Sequence, residues 1–370
     1  MQGLIDTTLR EGAQTAGISF SLRQKRDIVQ ALVRIGIEEI ELGIATSFDR
    51  DLPGLMASCR AEYGHTSFSL WSMCRRDDIE YAAVLEPDIL SLSIPVSDLH
   101  IFKKLRKSRG WVLRTLREAL AWSRDCGIKR LSLGLEDATR AEDGFLTEVM
   151  DAAVEGGVSR IRFADTVGIA SPLTVIKLLS QVRAGYDLEF GIHTHNDFGM
   201  ATANCLTALE AGADWADVTV MGLGERAGNA RLEEAAAYLR LQKGRPYRTE
   251  CLRELSALLC EIIGEPIAAR RPVIGRDIFT CETGLHIQGL ERDPETYEPY
   301  PPHKVGAARR LLYGRKTGRH NLRRRLLDLA RPLGLDNINE LLGQVRDKAA
   351  ELGRPLEDAE LTALCRQEVV

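Results

Sequence analysis

Gly3-Leu4-Ile5-Asp6-Thr7-Thr8-Leu9-Arg10-Glu11-Gly12 is a short apolar run that passes straight into polar residues. Such a run reads as a buried strand, and the text after it decides between two architectures. A doubly wound open sheet would carry G-x-G-x-x-G there to receive a dinucleotide phosphate, and TTLREG stands in its place. Seven further runs of the same kind follow: Glu39 to Ile44, Ser67 to Met73, Ile89 to Ile94, Arg130 to Leu135, Arg160 to Ala164, Glu189 to His195 and Ala216 to Met221. Each is succeeded by a longer stretch of helical period, the pattern of βα units on a parallel sheet. Ser21-Leu22-Arg23-Gln24 opens the first helix as a capping box, and Gly36 ends it. Eight such pairs before residue 263 predict a (β/α)8 TIM barrel over 1–263.

Beyond Ile263 the rhythm breaks into the Pro- and Gly-rich segments GEPIAARRPVIG and RDPETYEPYPPHKVG, so 264–318 is expected to be a linking subdomain of irregular structure. Helical periods at Asn321 to Leu333 and Ile338 to Leu352 predict a small helical region over 319–370. The 49 Lys and Arg against 53 Asp and Glu leave a net charge of -4, which argues against nucleic acid as a partner. Apolar runs fall short of the roughly 20 residues that span a bilayer. MQGLIDTTLREG has no secretory-signal pattern and the eight Cys form no C-x-x-C, so the cytoplasm is the expected location.

In a barrel of this kind chemistry belongs at the C-terminal ends of the strands. Polar clusters stand there at Asp6 to Gly12, at Asp165-Thr166-Val167-Gly168, at His193-Thr194-His195-Asn196-Asp197 and at Gly222 to Asn229. His193 and His195 lie two apart on one strand, so the pleat sends both imidazoles to the same face. Strand one is separated from strand seven only by strand eight, which brings the Glu11 carboxylate to the neighbouring mouth. Two His and one carboxylate suit a divalent ion with open positions, such as Mg, Mn, Fe or Zn. Arg10 beside such an ion can hold a carboxylate or a developing enolate oxygen, and Asn229 could complete the outer shell.

IDTTLREGAQTAG, HTHNDFGMATAN and GLGERAGN, in this order, followed by FTCETGLHIQGL, DPETYEPY and GRKTG, resemble the DRE-TIM metallolyases, in the branch of homocitrate, isopropylmalate and citramalate synthases. EDATRAEDGFL and TYEPYPPHKVG are most similar to homocitrate synthases associated with nitrogenase cofactor assembly. The resemblance implies that Glu11, His193 and His195 bind the metal, with Asn229 in or near its outer shell, and that Arg10 steadies the reacting oxygen. It implies a substrate pocket containing Gln14, Thr166 and Glu136, and a proton-handling pair, His286 and Tyr297, supplied by the partner subunit of a homodimer through an exchanged C-terminal segment. The implied reaction is a Claisen condensation of acetyl-CoA, as co-substrate, with a 2-oxo acid.

Ser132 occupies the strand-five position where lysine-pathway homocitrate synthases carry a substrate-binding arginine, Cys281 replaces a histidine found in many of them, and GRKTG replaces G-K-H-S-G. Arg75, after strand three, is the expected substitute for reading a distal carboxylate. The expected substrate is 2-oxoglutarate and the product homocitrate. Citrate, isopropylmalate and citramalate synthesis, a metal-dependent aldolase or acyl-CoA lyase, and a non-catalytic carboxylate-binding barrel are the alternatives.

Overall fold

The computed structural model describes residues 1–183, 185–328 and 335–367, which group into two compact units, Met1–Pro266 and Ile267–Val370. The first unit is a closed barrel of eight parallel strands in sequence order. The strands are β1 Gly3–Asp6, β2 Glu39–Ile44, β3 Ser67–Met73, β4 Ile89–Pro95, β5 Leu131–Glu136, β6 Arg160–Asp165, β7 Glu189–Thr194 and β8 Trp215–Val218. The barrel shuts because β8 pairs with β1 over Gly3 to Asp6. The surrounding helices are α1 Leu22–Ile35, α2 Leu52–Glu62, α3 Arg76–Leu85, α4 Arg109–Asp125, α5 Asp143–Glu155, α6 Pro172–Arg183, α7 Ala201–Glu210, α8 Leu232–Lys243 and α9 Leu252–Ile263.

Helix α1 shows how local signals set these boundaries. The Ser21 side chain accepts from the Gln24 backbone N–H while Gln24 accepts from that of Ser21, and Gly36 closes the helix at φ 95°. A cap of this kind contributes about 1 kcal/mol. Ile28, Val29, Leu32 and Ile35 form the buried face, at the helical spacing that packs a helix on a sheet.

The strands alternate in a sense that an open, half-solvated sheet would reverse. In Glu39-Ile40-Glu41-Leu42 and Arg160-Ile161-Arg162-Phe163 every residue is buried. The apolar residues face the helices and the charged ones point into the barrel, where they must find one another. Strand one ends at Asp6, because Thr7 begins a turn in which the N–H groups of Arg10, Glu11 and Gly12 all reach its carbonyl. Strand eight begins at Trp215 and stops at Val218, short of the expected Met221, since Val220–Gly222 is a tight turn with Met221 at φ 58°.

In the second unit the segment expected to be irregular contains a helix, α10 Gly284–Arg292, and a two-stranded parallel sheet of β9 Thr280–Cys281 and β10 Arg310–Leu311. Helices α11 Arg319–Asp328, α12 Leu335–Leu352 and α13 Asp358–Gln367 follow. The expected end of the first tail helix, at 333, lies outside the described residues. Helix α13 went unread in the sequence, although its Leu361 and Cys365 join Leu322, Leu341 and Val345 in one buried cluster.

Candidate metal and substrate site

The end of β7 and the turn after β1 bring three ligand types together. Glu11, His193 and His195 are all buried, and one atom from each lies within 4.8 Å of the others. His193 Nε2 is 4.0 Å from Glu11 Oε2, His195 Nε2 is 3.7 Å from Glu11 Oε1, and the two Nε2 atoms are 3.3 Å apart. One carboxylate and two imidazole nitrogens converging this closely suit a single divalent cation held between them.

Second contacts fix each ligand. His193 Nδ1 donates to Asp217 Oδ2 at 2.8 Å, which aims Nε2 at the cluster. Burial, followed by His193, pushes the His195 imidazole down to about 3 against the pull of Glu11, so it stands neutral and able to ligate at neutral pH. Burial alone would raise the Glu11 carboxyl, but Arg10, His193 and His195 together hold it below the ordinary carboxylate range. Asn229 is tied to this wall by a bridge to His195 and donates to the Leu223 carbonyl at 3.1 Å. Its buried Oδ1 has no protein partner. The loop that carries Asn229 closes only with glycine at 228, where φ is 84° and a Cβ would collide with the Gly222 carbonyl.

Around the cluster runs a closed ring of buried charge. Arg10 Nη1 contacts Glu11, and Arg10 Nε donates to Glu41 at 2.5 Å. Arg162 reaches the other Glu41 oxygen at 3.2 Å and Asp217 at 3.0 Å, and Asp217 returns to His193. Burial opposes ionisation of both arginines. Glu41 with Glu11 overcomes this for Arg10, and Asp217 with Glu41 for Arg162, so both guanidinium groups stay protonated above the ordinary arginine range. Glu41, Arg162 and Asp217 were not singled out in the sequence. The E-I-E and R-I-R alternations were the signal for Glu41 and Arg162, since a charged residue on the inner face of a closed barrel needs a partner across it.

A cavity of about 380 Å³ opens over the cluster, and Arg10, Glu11, Gln14, Glu136, Thr166, His193 and His195 all line it, together with Trp71, Met73, Ser93, Lys104 and Gly134. Gln14 donates to Glu11 at 3.1 Å. Thr166 Oγ1 accepts the Asp137 N–H at 2.8 Å, so its own hydroxyl proton is free to donate into the cavity. Arg75 is not among the lining residues. It is exposed at the N-terminal cap of α3, its backbone turned away by an N–H bond to the Met73 carbonyl, and the structure therefore gives it no place in the pocket. Ser132 is fully buried beneath the cavity. His286 on α10 and Tyr297 belong to the second unit, where their rings touch at a 37° tilt with centroids 4.3 Å apart and both are exposed.

The HMGL-like family matches residues 2–259, and the homocitrate synthase post-HMGL domain-like family matches residues 273–353. The chain belongs to the HMGL-like family. Among its relatives, 2-isopropylmalate synthase 2 of Caldanaerobacter subterraneus subsp. tengcongensis is 37% identical over 99% of this chain and 96% of that one. Homocitrate synthase of Frankia sp. (strain FaC1) is 38% identical over 98% of this chain and 89% of its own. Hydroxymethylglutaryl-CoA lyase from Pseudomonas aeruginosa superposes with a TM-score of 0.64 at 16% identity, over 72% of this chain and 94% of that chain, a likeness of fold. As an HMGL-like protein with these relatives, the chain is an acyltransferase-type enzyme of the homocitrate and isopropylmalate synthase kind. Among the described residues of this family member, no helix is long and apolar enough to cross a membrane.

Proposed function

We propose that this enzyme condenses acetyl-CoA with a 2-oxo acid, 2-oxoglutarate being the preferred one and homocitrate the product. The observation that carries the reading is the convergence of Glu11, His193 and His195 on one face of a cavity that Arg10 and Thr166 also line. Glu11, His193 and His195 would hold a divalent ion such as Mg, Mn or Zn, which would supply Lewis-acid polarisation of the keto acid carbonyl.

The chain's own groups supply the rest. Arg10, anchored through Nε and Nη1, keeps its remaining donors for the oxygen on which charge develops as the carbon–carbon bond forms. The Thr166 hydroxyl donates to the keto acid carboxylate, and Glu136 borders the substrate on the far side. His286, in ring contact with Tyr297, moves the proton that leaves the acetyl methyl group. The exposure of that pair supports its delivery from a second copy of the chain in a homodimer. Water then cleaves the thioester and releases CoA.

The test is a free-thiol assay of CoA release with 2-oxoglutarate, oxaloacetate, 2-oxoisovalerate and pyruvate, with and without chelator. We expect metal-dependent release, fastest with 2-oxoglutarate. No release with any keto acid overturns the condensation, and preference for 2-oxoisovalerate overturns the substrate. Replacing His286 by Ala should cut turnover by roughly 100-fold with metal retained, and mixing it with the Glu11→Ala protein should recover activity in heterodimers. No recovery after verified subunit exchange places His286 in its own chain's site.

A further inference from the structure

We propose that Lys104 is the residue that reads the far carboxylate of the 2-oxo acid, an inference that rests on the condensation reading above. The argument starts from the barrel's closure. The metal-ligand cluster belongs to β1 and β7, the two neighbours of β8, and in a closed ring of eight strands β4 lies opposite β8. A keto acid held by its first two carbons at the cluster therefore points its other end at the wall built by β3, β4 and β5. That wall contributes Trp71, Met73, Ser93, Gly134 and Glu136 to the cavity. Gly134 and Ser93 leave room there for a substituent longer than a methyl group.

A buried carboxylate needs a cation or several donors. Three cationic side chains line the cavity: Arg10, Arg162 and Lys104. The first two are each shared between two carboxylates of the buried ring, and drawing either toward the far wall would break it. Lys104 stands apart. Its ammonium group meets Glu136 Oε2 at 3.3 Å, while the other Glu136 oxygen accepts from Ser93 at 3.1 Å. An ammonium group has three donors, and the Glu136 bond uses one. Arg75, the substitute expected from the sequence, is exposed and does not line the cavity, and Ser132 is buried without a charge to offer.

The backbone that carries Lys104 is also unusual. Leu99–Lys104 is a single π-helical turn between β4 and α4, closed by the Leu105 N–H on the His100 carbonyl. Turns of this type concentrate at functional sites because they re-aim a side chain that a regular helix would direct elsewhere. The turn is pinned at its start, where the His100 N–H donates to Ser97 Oγ and Ile101 is fully buried. Its last residue, Lys104, keeps a side chain 56% exposed and free to turn toward a ligand.

The experiment is steady-state kinetics on the full-length, metal-loaded enzyme, as wild type, Lys104→Met and Lys104→Arg, varying 2-oxoglutarate, pyruvate and acetyl-CoA in turn. Lys104→Met should raise the KM for 2-oxoglutarate by roughly 10- to 100-fold, the scale of a hydrogen bond between charged groups. The KM values for acetyl-CoA and pyruvate should move less than about twofold, and Lys104→Arg should restore most of the loss. An unchanged KM for 2-oxoglutarate in Lys104→Met overturns the assignment while leaving the condensation intact. A rise confined to acetyl-CoA overturns it in favour of a contact with the CoA phosphates. A wild type that releases CoA with no keto acid fails the condensation reading itself and removes the proposal with it.

Discussion

Two layers of the barrel interior, built two residues apart on the same strands, are finished in opposite ways. In the upper layer hydrogen bonds join Arg162 to Glu41 and His193 to Asp217, and a 3.0 Å ion pair joins Arg162 to Asp217, so the chain ends at the cluster of Glu11, His193 and His195. In the lower layer Glu39 and Arg160 approach to 2.8 Å as an ion pair, yet neither Glu39 oxygen nor either terminal Arg160 nitrogen makes a directed hydrogen bond to protein. The buried hydroxyls of Ser69, Ser91 and Ser132 have no protein partner either. Charge burial is costly in both layers. The upper one meets more of that cost with aligned bonds, the lower keeping a directed bond from Arg160 Nε to Glu189 at 3.3 Å, and the upper is the one that adjoins Glu11, His193 and His195. The contrast teaches that the upper ring is a positioning device, while the lower layer fills the barrel.

The largest expected effect attacks the ligands that the ring positions. Glu11→Ala should lose its metal, measured by elemental content after dialysis, and activity should fall by about a thousandfold or more, since the ion supplies several kcal/mol to the transition state. Full activity in metal-stripped protein would defeat the comparison at its root. Next comes the ring itself. Arg162→Met strands Glu41 and Asp217 without their shared cation, and denaturant unfolding should show a loss of about 3–5 kcal/mol. A loss under about 1 kcal/mol would place the two layers on an equal footing.

Asp217→Asn tests positioning more gently, because the side chain keeps its size and loses its charge. Metal titration should show affinity lower by roughly 10- to 100-fold, the usual cost of losing the partner that orients a histidine ligand. Unchanged affinity would remove Asp217 from that role. A pH series on metal-stripped protein reads the same wall. His195 sits near 3 when folded and near 6.5 when unfolded, so between those values only the unfolded chain takes the proton. The stability it contributes is complete above pH 6.5 and is lost as pH falls, by about 2 kcal/mol at pH 5. A flat profile for this contribution, judged against His195→Gln, would contradict the buried neutral imidazole. The smallest effect belongs to the lower layer: Ser91→Ala breaks no protein hydrogen bond, and its unfolding free energy should change by less than about 1 kcal/mol.

The grouping of Glu11, His193 and His195 was legible in the sequence because each carried a local mark. A strand period of two put His193 and His195 on one face, and chain order put Glu11 two strands away. The barrel was legible for the same reason, as was α1, whose capping box and terminal Gly36 appear where the text placed them. Helix α13 was missed because its apolar positions gain meaning only against α11 and α12.

What the sequence determined by itself was whatever depends on neighbours along the chain: the strand and helix rhythm, the caps, and which residues share a pleat face. Which of those faces became the inside was decided by closure of β8 onto β1. Closure turned the charged positions of Glu41, Arg162 and Asp217 inward, because partners for buried charges existed only across the barrel. It also set Lys104 rather than Arg75 on the cavity wall. Both follow barrel strands, and local sequence holds no measure of the angle at which each turn leaves its strand. That angle is set by packing, by the buried Ile101 beneath a π-turn in one case and by an exposed helix cap in the other.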